Sequence, residues 1–229
     1  MRRQIIEKHW SRIAALHTAN AWPFLESAYS EPHRAYHTLN HISELLEGLE
    51  RFSVLATRPD VITAAIFWHD CVYQTREADG RPRPDVENVG ASAVAFLRRS
   101  LFPETETRAV HDIIMATADH LAAEASLEHY PGFSDDLDLM RDLDLGSFAL
   151  EPAGFDANFD KIRFEYQWVP LPDFLRGRLR FFERMAAPEA TLYRRAETRA
   201  AFDAAAKSNI TRWIPKIEAM LAAQAEKAR

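Results

Sequence analysis

A single cysteine, Cys71, stands among the 229 residues of this chain. One thiol cannot build an intramolecular disulfide framework, and a cysteine-rich zinc site is excluded with it. Beside an apolar stretch, Cys71 reads as a small buried side chain rather than a reactive thiol. Glycine is scarce too: seven residues are too few for the many tight turns of an all-β fold. Positive charge is in deficit, with 28 lysines and arginines against 34 aspartates and glutamates. The net charge of −6 argues against a broad nucleic-acid-binding surface, while leaving room for a small basic pocket. No apolar run is long enough to span a bilayer. The start, Met1-Arg2-Arg3, is basic but leads into no apolar signal core. These absences predict a soluble cytoplasmic protein that works without nucleic acid or membrane.

What is present is a core. Hydrophobic residues make up 47% of the chain, a normal share for a globular domain, and nearly every apolar pattern has a period near 3.6. Ile42, Leu45, Leu46 and Leu49 form one helical stripe. Pro59-Asp60 opens the next helix, with Asp60 as its expected N-cap, and this helix runs to His69-Asp70. Residues 74–86 carry Gly80, Pro82 and Pro84 among charges and read as an exposed loop. Val89 to Leu97 and Val110 to Thr117 give two further helices. Gly132 to Asp136 reads as a break, followed by a short helix through Leu139, Leu143 and Leu145. Phe155 to Tyr166 and Phe174 to Phe182 give two more. The Ala-rich tail from Glu189 to Arg229 is expected to be mostly helical, with Pro215 as a kink or a fresh start. The whole chain reads as one all-α domain, its core spanning about residues 30–185, with an N-terminal helix and a C-terminal helical extension packed on it. That tail could equally pack on a second copy, so a homodimer stays open.

The chemistry concentrates around His69-Asp70. This pair closes an apolar stretch, Val61 to Trp68, where unsatisfied polar groups are costly. A divalent ion accepts a neutral imidazole and a carboxylate together. His37 and His41 lie four apart, so on a helix they would share a face. They could share a metal, or one could bind it while the other moves protons. Asp144, in Asp142-Leu143-Asp144-Leu145, could close the shell or merely cap a helix. Two imidazoles and two carboxylates suit Zn, Mn or Fe with positions left for water.

The order His, then His-Asp, then a distant Asp resembles the HD-domain superfamily of metal-dependent phosphohydrolases. The likeness runs from about Arg34 to Arg178. Arg34-Ala35-Tyr36-His37-Thr38-Leu39-Asn40-His41 looks like the first motif of a bacterial branch of predicted phosphohydrolases. Phe67-Trp68-His69-Asp70-Cys71-Val72-Tyr73 looks like the second. Asp142 to Gly146 resembles the last motif, and Ile162-Arg163-Phe164-Glu165-Tyr166 a further branch signature. The first motif also resembles a Tyr-His-Asn-x-x-His segment of cyclic-nucleotide phosphodiesterases. The resemblance implies an all-α HD fold, a bound divalent cation (Mn, Mg, Zn, Ni, Co or Fe) and hydrolysis of a small phosphorylated substrate, nucleotide or other. It makes His41, His69, Asp70 and Asp144 the ligands, with Asp142 a weaker choice than Asp144. His37 becomes the general acid, and Asp70 or Asp144 orients the water. His120, in a Thr-x-x-His pattern, could bind a second metal, touch substrate or end a helix. Arg34 and Arg163 are the expected phosphate grips, since a guanidinium can hold two oxygens at once; Arg178 lies in a Gly-Arg step that also resembles the branch. One departure is plain: the branch has Asn-Glu after the loop, whereas here Asn88 is followed by Val89 and Glu87 is displaced. Two rival activities follow from the same residues. One is a nucleotide-binding sensor or interaction module with a degenerate site. The other is a di-iron oxygenase, which needs extra histidines that only His111 and His120 could supply.

Overall fold

The computed structural model describes residues 2–122 and 133–227; the expected break at Gly132, His129 and the last residues of the tail lie partly or wholly outside them. The described residues fold as ten α-helices without a β-strand, an all-α bundle as the periodicity predicts. In chain order these are α1 (Arg2–Ile13), α2 (Ala21–Ala28), α3 (Leu39–Arg51), α4 (Pro59–Trp68), α5 (Asp85–Leu97), α6 (Glu104–Ala116), α7 (Ser134–Asp144), α8 (Pro152–Glu165), α9 (Leu171–Ala186) and α10 (Ala196–Lys227). None of them is long and apolar enough to cross a membrane.

The middle of the bundle is α4. Each residue from Val61 to Trp68 is at most 1% exposed, which a helix apolar on all sides requires. Helices α1, α3, α5, α6 and α7 pack around it. Its C-terminus therefore delivers His69 and Asp70 into the interior. The N-terminal end differs from expectation. Asp60 is not the N-cap: Pro59 occupies the first turn and Asp60 follows inside it, where its carboxylate pairs with Arg12 at 2.5 Å. The preceding amides of Thr57 and Arg58 instead donate to the carboxylate of Asp136 on α7, at 2.7 and 2.8 Å.

A second cluster joins α8, α9 and α10 through Phe155, Phe159, Leu175, Phe182, Ile210 and Trp213. Phe202 of α10 touches both clusters, so the tail is fastened to its own chain. Pro215 neither ends nor restarts α10, which runs through it. Residues 74–84 are less free than their composition suggests. The Asn88 side chain donates to the Gln74 carbonyl at 2.9 Å and accepts from its amide at 3.0 Å, and the buried Thr75 hydroxyl donates to the Glu165 carbonyl.

Candidate metal centre

Three separate segments meet at the inner end of one cavity. His41 comes from the first turn of α3, which Thr38 caps by accepting from the Asn40 amide. His69 and Asp70 come from the turn that ends α4, and Asp144 is the last residue of α7. His41 Nε2 lies 3.0 Å from Asp144 Oδ1 and 3.8 Å from Asp70 Oδ2. His69 Nε2 lies 3.0 Å from Asp70 Oδ2 and 3.6 Å from Asp144 Oδ1. Ligands bonded to one cation at about 2.1 Å, at right or tetrahedral angles, stand roughly 3.0–3.4 Å apart. The four separations bracket that range, and the two longest are too long for hydrogen bonds. His41, His69 and Asp70 form a group that could hold an ion, and Asp144 of α7 lies beside its two histidines.

The donor chemistry fits a cation as well as the spacing does. His69 Nδ1 donates to the Ile66 carbonyl at 3.0 Å, which fixes the tautomer and turns the Nε2 lone pair inward. That Nε2 is buried without a hydrogen-bond partner. Asp70 and Asp144 both sit at helix C-termini, where the backbone dipole disfavours an anion. Burial alone would neutralise these carboxyls, yet the neighbouring imidazoles hold both well below the usual carboxylate range. Burial likewise disfavours the charged His69 ring, but Asp70 and Asp144 outweigh it and raise its pKa. Two buried anions thus face the His69 ring, and a divalent ion would balance their charge.

His120 joins the site. Its Nε2 lies 2.8 Å from Asp144 Oδ2, the oxygen that His41 does not face, so it orients the carboxylate from behind. His111 does not join; it pairs with its neighbour Asp112. Asp142 faces away and accepts from the amides of Arg194 and Arg195 and from the Thr198 hydroxyl. It anchors the start of α10 and is no ligand.

His37 is not on the helix of His41. It precedes the cap of α3, and the two ring centres are 6.2 Å apart. Its Nδ1 donates to Glu165 Oε2 at 2.7 Å. Oε1 of the same glutamate accepts from the amides of Ala35, Tyr36 and His37 at 2.8, 2.8 and 3.0 Å. Four donors on one buried carboxylate overcome the cost of burying it and hold its pKa down at about 2. Burial lowers the pKa of His37, and Glu165 with Asp70 more than reverses this, so its pKa is raised. Tyr73 stacks on the ring at 3.9 Å. With Nδ1 committed, Nε2 is the nitrogen left for the cavity that His37 lines.

The two expected phosphate grips are elsewhere. The Arg34 side chain is fully buried. It donates to Glu31 and to the carbonyls of His37, Asp70 and Cys71, so it braces the two site loops and has nothing left for a substrate. Arg163 donates to the carbonyls of Tyr166 and Val169 and lies over Phe174, closing the end of α8. Two arginines of α9 line the cavity without a carboxylate at hydrogen-bond distance, the exposed Arg180 and the half-buried Arg178. Val89 also lines it, while the displaced Glu87 is exposed and meets Arg81 at 3.6 Å. Cys71 is buried and its thiol pKa is pushed up to about 12 by that burial, an inert side chain as expected. No protein-family model, curated protein or solved structure matches this chain.

Proposed function

We propose that this protein is a metal-dependent phosphohydrolase of the HD-domain type, acting in the cytoplasm on a small phosphorylated substrate. One observation supports the reading: His41 and His69 each lie within 4 Å of the carboxylates of both Asp70 and Asp144, and a separately held imidazole, His37, lines the same cavity. These four residues would hold the cation. When bound, a divalent ion supplies an acidified water and a positive charge for a phosphoryl oxygen.

The chain's own residues supply the rest. Asp70 and Asp144 are ionised at neutral pH, and one or the other orients a water by accepting a hydrogen bond from it. His120 keeps the Asp144 carboxylate in place. His37, whose pKa Glu165 helps to raise, donates its Nε2 proton to the departing ester oxygen. The buried Glu165 cannot itself reach the cavity once its oxygens are filled by four donors; it is a positioning residue. Val89, standing in the cavity wall while Glu87 faces solvent, favours a single-cation site.

Elemental analysis of the untreated protein tests the first half of the reading. Turnover of p-nitrophenyl phosphate and bis-p-nitrophenyl phosphate with Mn, Mg, Ni, Co and Zn tests the second. The expected result is about one divalent ion per chain and hydrolysis of at least one ester. Tight nucleotide binding without turnover under every metal would instead make this a sensor, and an iron-dependent optical spectrum would make it an oxygenase.

A further inference from the structure

The cavity that the metal centre opens into is far larger than a phosphoryl group needs. Its volume is about 850 Å³, within the range of pockets that enclose drug-sized molecules. A phosphoryl group takes the space of a few waters, at about 30 Å³ each. The remaining wall is aromatic: Phe155, Phe159, Trp168, Phe174 and Phe181 all face it.

Two adjacent residues of α9 stand out in that wall. Gly177 lies inside a helix, where glycine costs about 1 kcal/mol relative to alanine. Nothing in the packing asks for it. Its φ is not positive, and a Cβ built there meets no atom within 4 Å. What the missing side chain leaves is space in the cavity. Arg178 follows. Its guanidinium lies over Phe181 and Phe182, 4.7 Å from each ring centre, and its Nε is buried with no partner. The groups that face it are the hydroxyls of Tyr36, Tyr73 and Tyr166 and the carboxylate of Asp85, none at hydrogen-bond distance. Arg184, by contrast, spends its guanidinium on both oxygens of Asp119. Burial brings the Arg178 pKa down to about 10, which still leaves it charged near neutrality. A half-buried cation stacked on two rings, with Asp85 acting on it through space but no hydrogen-bonded anion, is costly and ready to take one.

We propose that the Gly177–Arg178 step is a substrate subsite: Arg178 grips an anionic oxygen, and the space over Gly177 receives a planar aromatic group carried by the same molecule. The substrate class is then a phosphoester with an aryl or nucleobase-like body, rather than a sugar phosphate or a simple alkyl phosphate. The ester chemistry rests on the hydrolytic reading above; the binding preference does not.

Two phosphonates that cannot be hydrolysed separate the two ideas. Calorimetry with 1-naphthylmethylphosphonate and methylphosphonate is run on protein whose metal content is measured in the same sample. The wild type binds the naphthyl compound at least ten-fold more tightly. Gly177→Leu abolishes that preference and leaves methylphosphonate binding unchanged, while Arg178→Met weakens both by about ten-fold, the loss of one charged hydrogen bond. Gly177→Ala and Gly177→Leu melt at or above the wild-type temperature, because the space is open. Equal binding of the two compounds, an unaltered preference in Gly177→Leu, unchanged affinity in Arg178→Met, or a marked drop in the melting temperature of Gly177→Leu would each overturn the subsite. A protein that holds no metal yet keeps the naphthyl preference would refute the hydrolytic reading and leave the subsite standing.

Discussion

Glu165 and His37 are 128 residues apart in the chain and 2.7 Å apart in the fold. The glutamate grips the same histidine twice, through its ring nitrogen and through its backbone amide. This fixes both the position and the charge of the ring. His37→Ala is expected to retain its metal and lose turnover by about 10²–10⁴-fold, the usual worth of a positioned general acid. Glu165→Gln keeps the shape but removes the anion that raises the His37 pKa. An acid catalyst works below its own pKa, so the alkaline limb of the kcat–pH profile moves to lower pH in this variant. A full pH–rate profile for both variants checks the pair; an unmoved limb in Glu165→Gln would remove His37 from the acid role.

The same carboxylate also ties stability to pH. Its pKa is lowered to about 2 from an ordinary value of 4.5. A depressed carboxylate contributes stability that is complete above the unfolded value and is lost as pH falls through the folded one. The protein should therefore lose on the order of a few kcal/mol between about pH 4.5 and pH 2. Glu165→Gln should show a flatter decline over that window in denaturant titrations at stepped pH.

Removing the cation should be visible in the melting curve. A ligand present at about 100 times its Kd stabilises the folded state by about 2.7 kcal/mol. For a chain of this size that raises Tm by about 5–10 °C. Scanning calorimetry with and without a chelator measures it. Asp70→Ala and His69→Ala are expected to melt at the same temperature in both conditions and to carry no metal. An Asp70→Ala protein with full metal content would take Asp70 out of the ligand set.

Much of this site was legible in the sequence because it uses short-range signals. His69-Asp70 announces itself as a polar pair closing an apolar stretch, and in the fold His41, His69 and Asp70 come together with Asp144 beside His41. The helices follow from the 3.6 period alone. What stayed illegible depends on long-range contacts. Arg34 and Arg163 are free cations in one dimension, and only the fold reveals that backbone carbonyls consume them. Glu165 was visible as part of a signature, but its role requires the three amides of residues 35–37 to be brought against it. Asp60 failed as a cap because Asp136, 76 positions away, reaches the helix start from outside. Arg178 stood out only by its Gly-Arg step; the fold adds that its guanidinium is half-buried over Phe181 and Phe182 in the cavity wall.

Arg34 should behave as a brace. Its guanidinium donates to the Asp70 and Cys71 carbonyls on one side and to the His37 carbonyl on the other. Removing it strips the donors from buried acceptors, and breaking such a buried charged network costs about 3–5 kcal/mol. Arg34→Ala is expected to lower Tm by about 6–20 °C and to weaken metal binding as the two loops separate. Arg34→Lys should not rescue it, because an ammonium lacks the planar fork that spans three carbonyls. A substrate grip would give another pattern, a raised KM with an unchanged Tm, and thermal denaturation beside steady-state kinetics separates the two.

Asp142 and Asp144 offer the sharpest contrast, since two residues along α7 they do opposite work. Asp142 holds the amides of Arg194 and Arg195 and the hydroxyl of Thr198, and it is wholly buried. Asp142→Ala leaves those donors unpaired at about 1–3 kcal/mol each, so it should lower Tm markedly while metal content per folded chain stays at the wild-type value. Asp144 faces His41 and His120 and supports no helix. Asp144→Ala should abolish metal binding and turnover, and it should melt below the metal-free wild type as well, because the removed carboxylate is held ionised by His69, His120 and His41. Thermal denaturation and elemental analysis on the two proteins side by side give the answer; metal lost from Asp142→Ala and kept in Asp144→Ala would reverse the assignment of the last ligand.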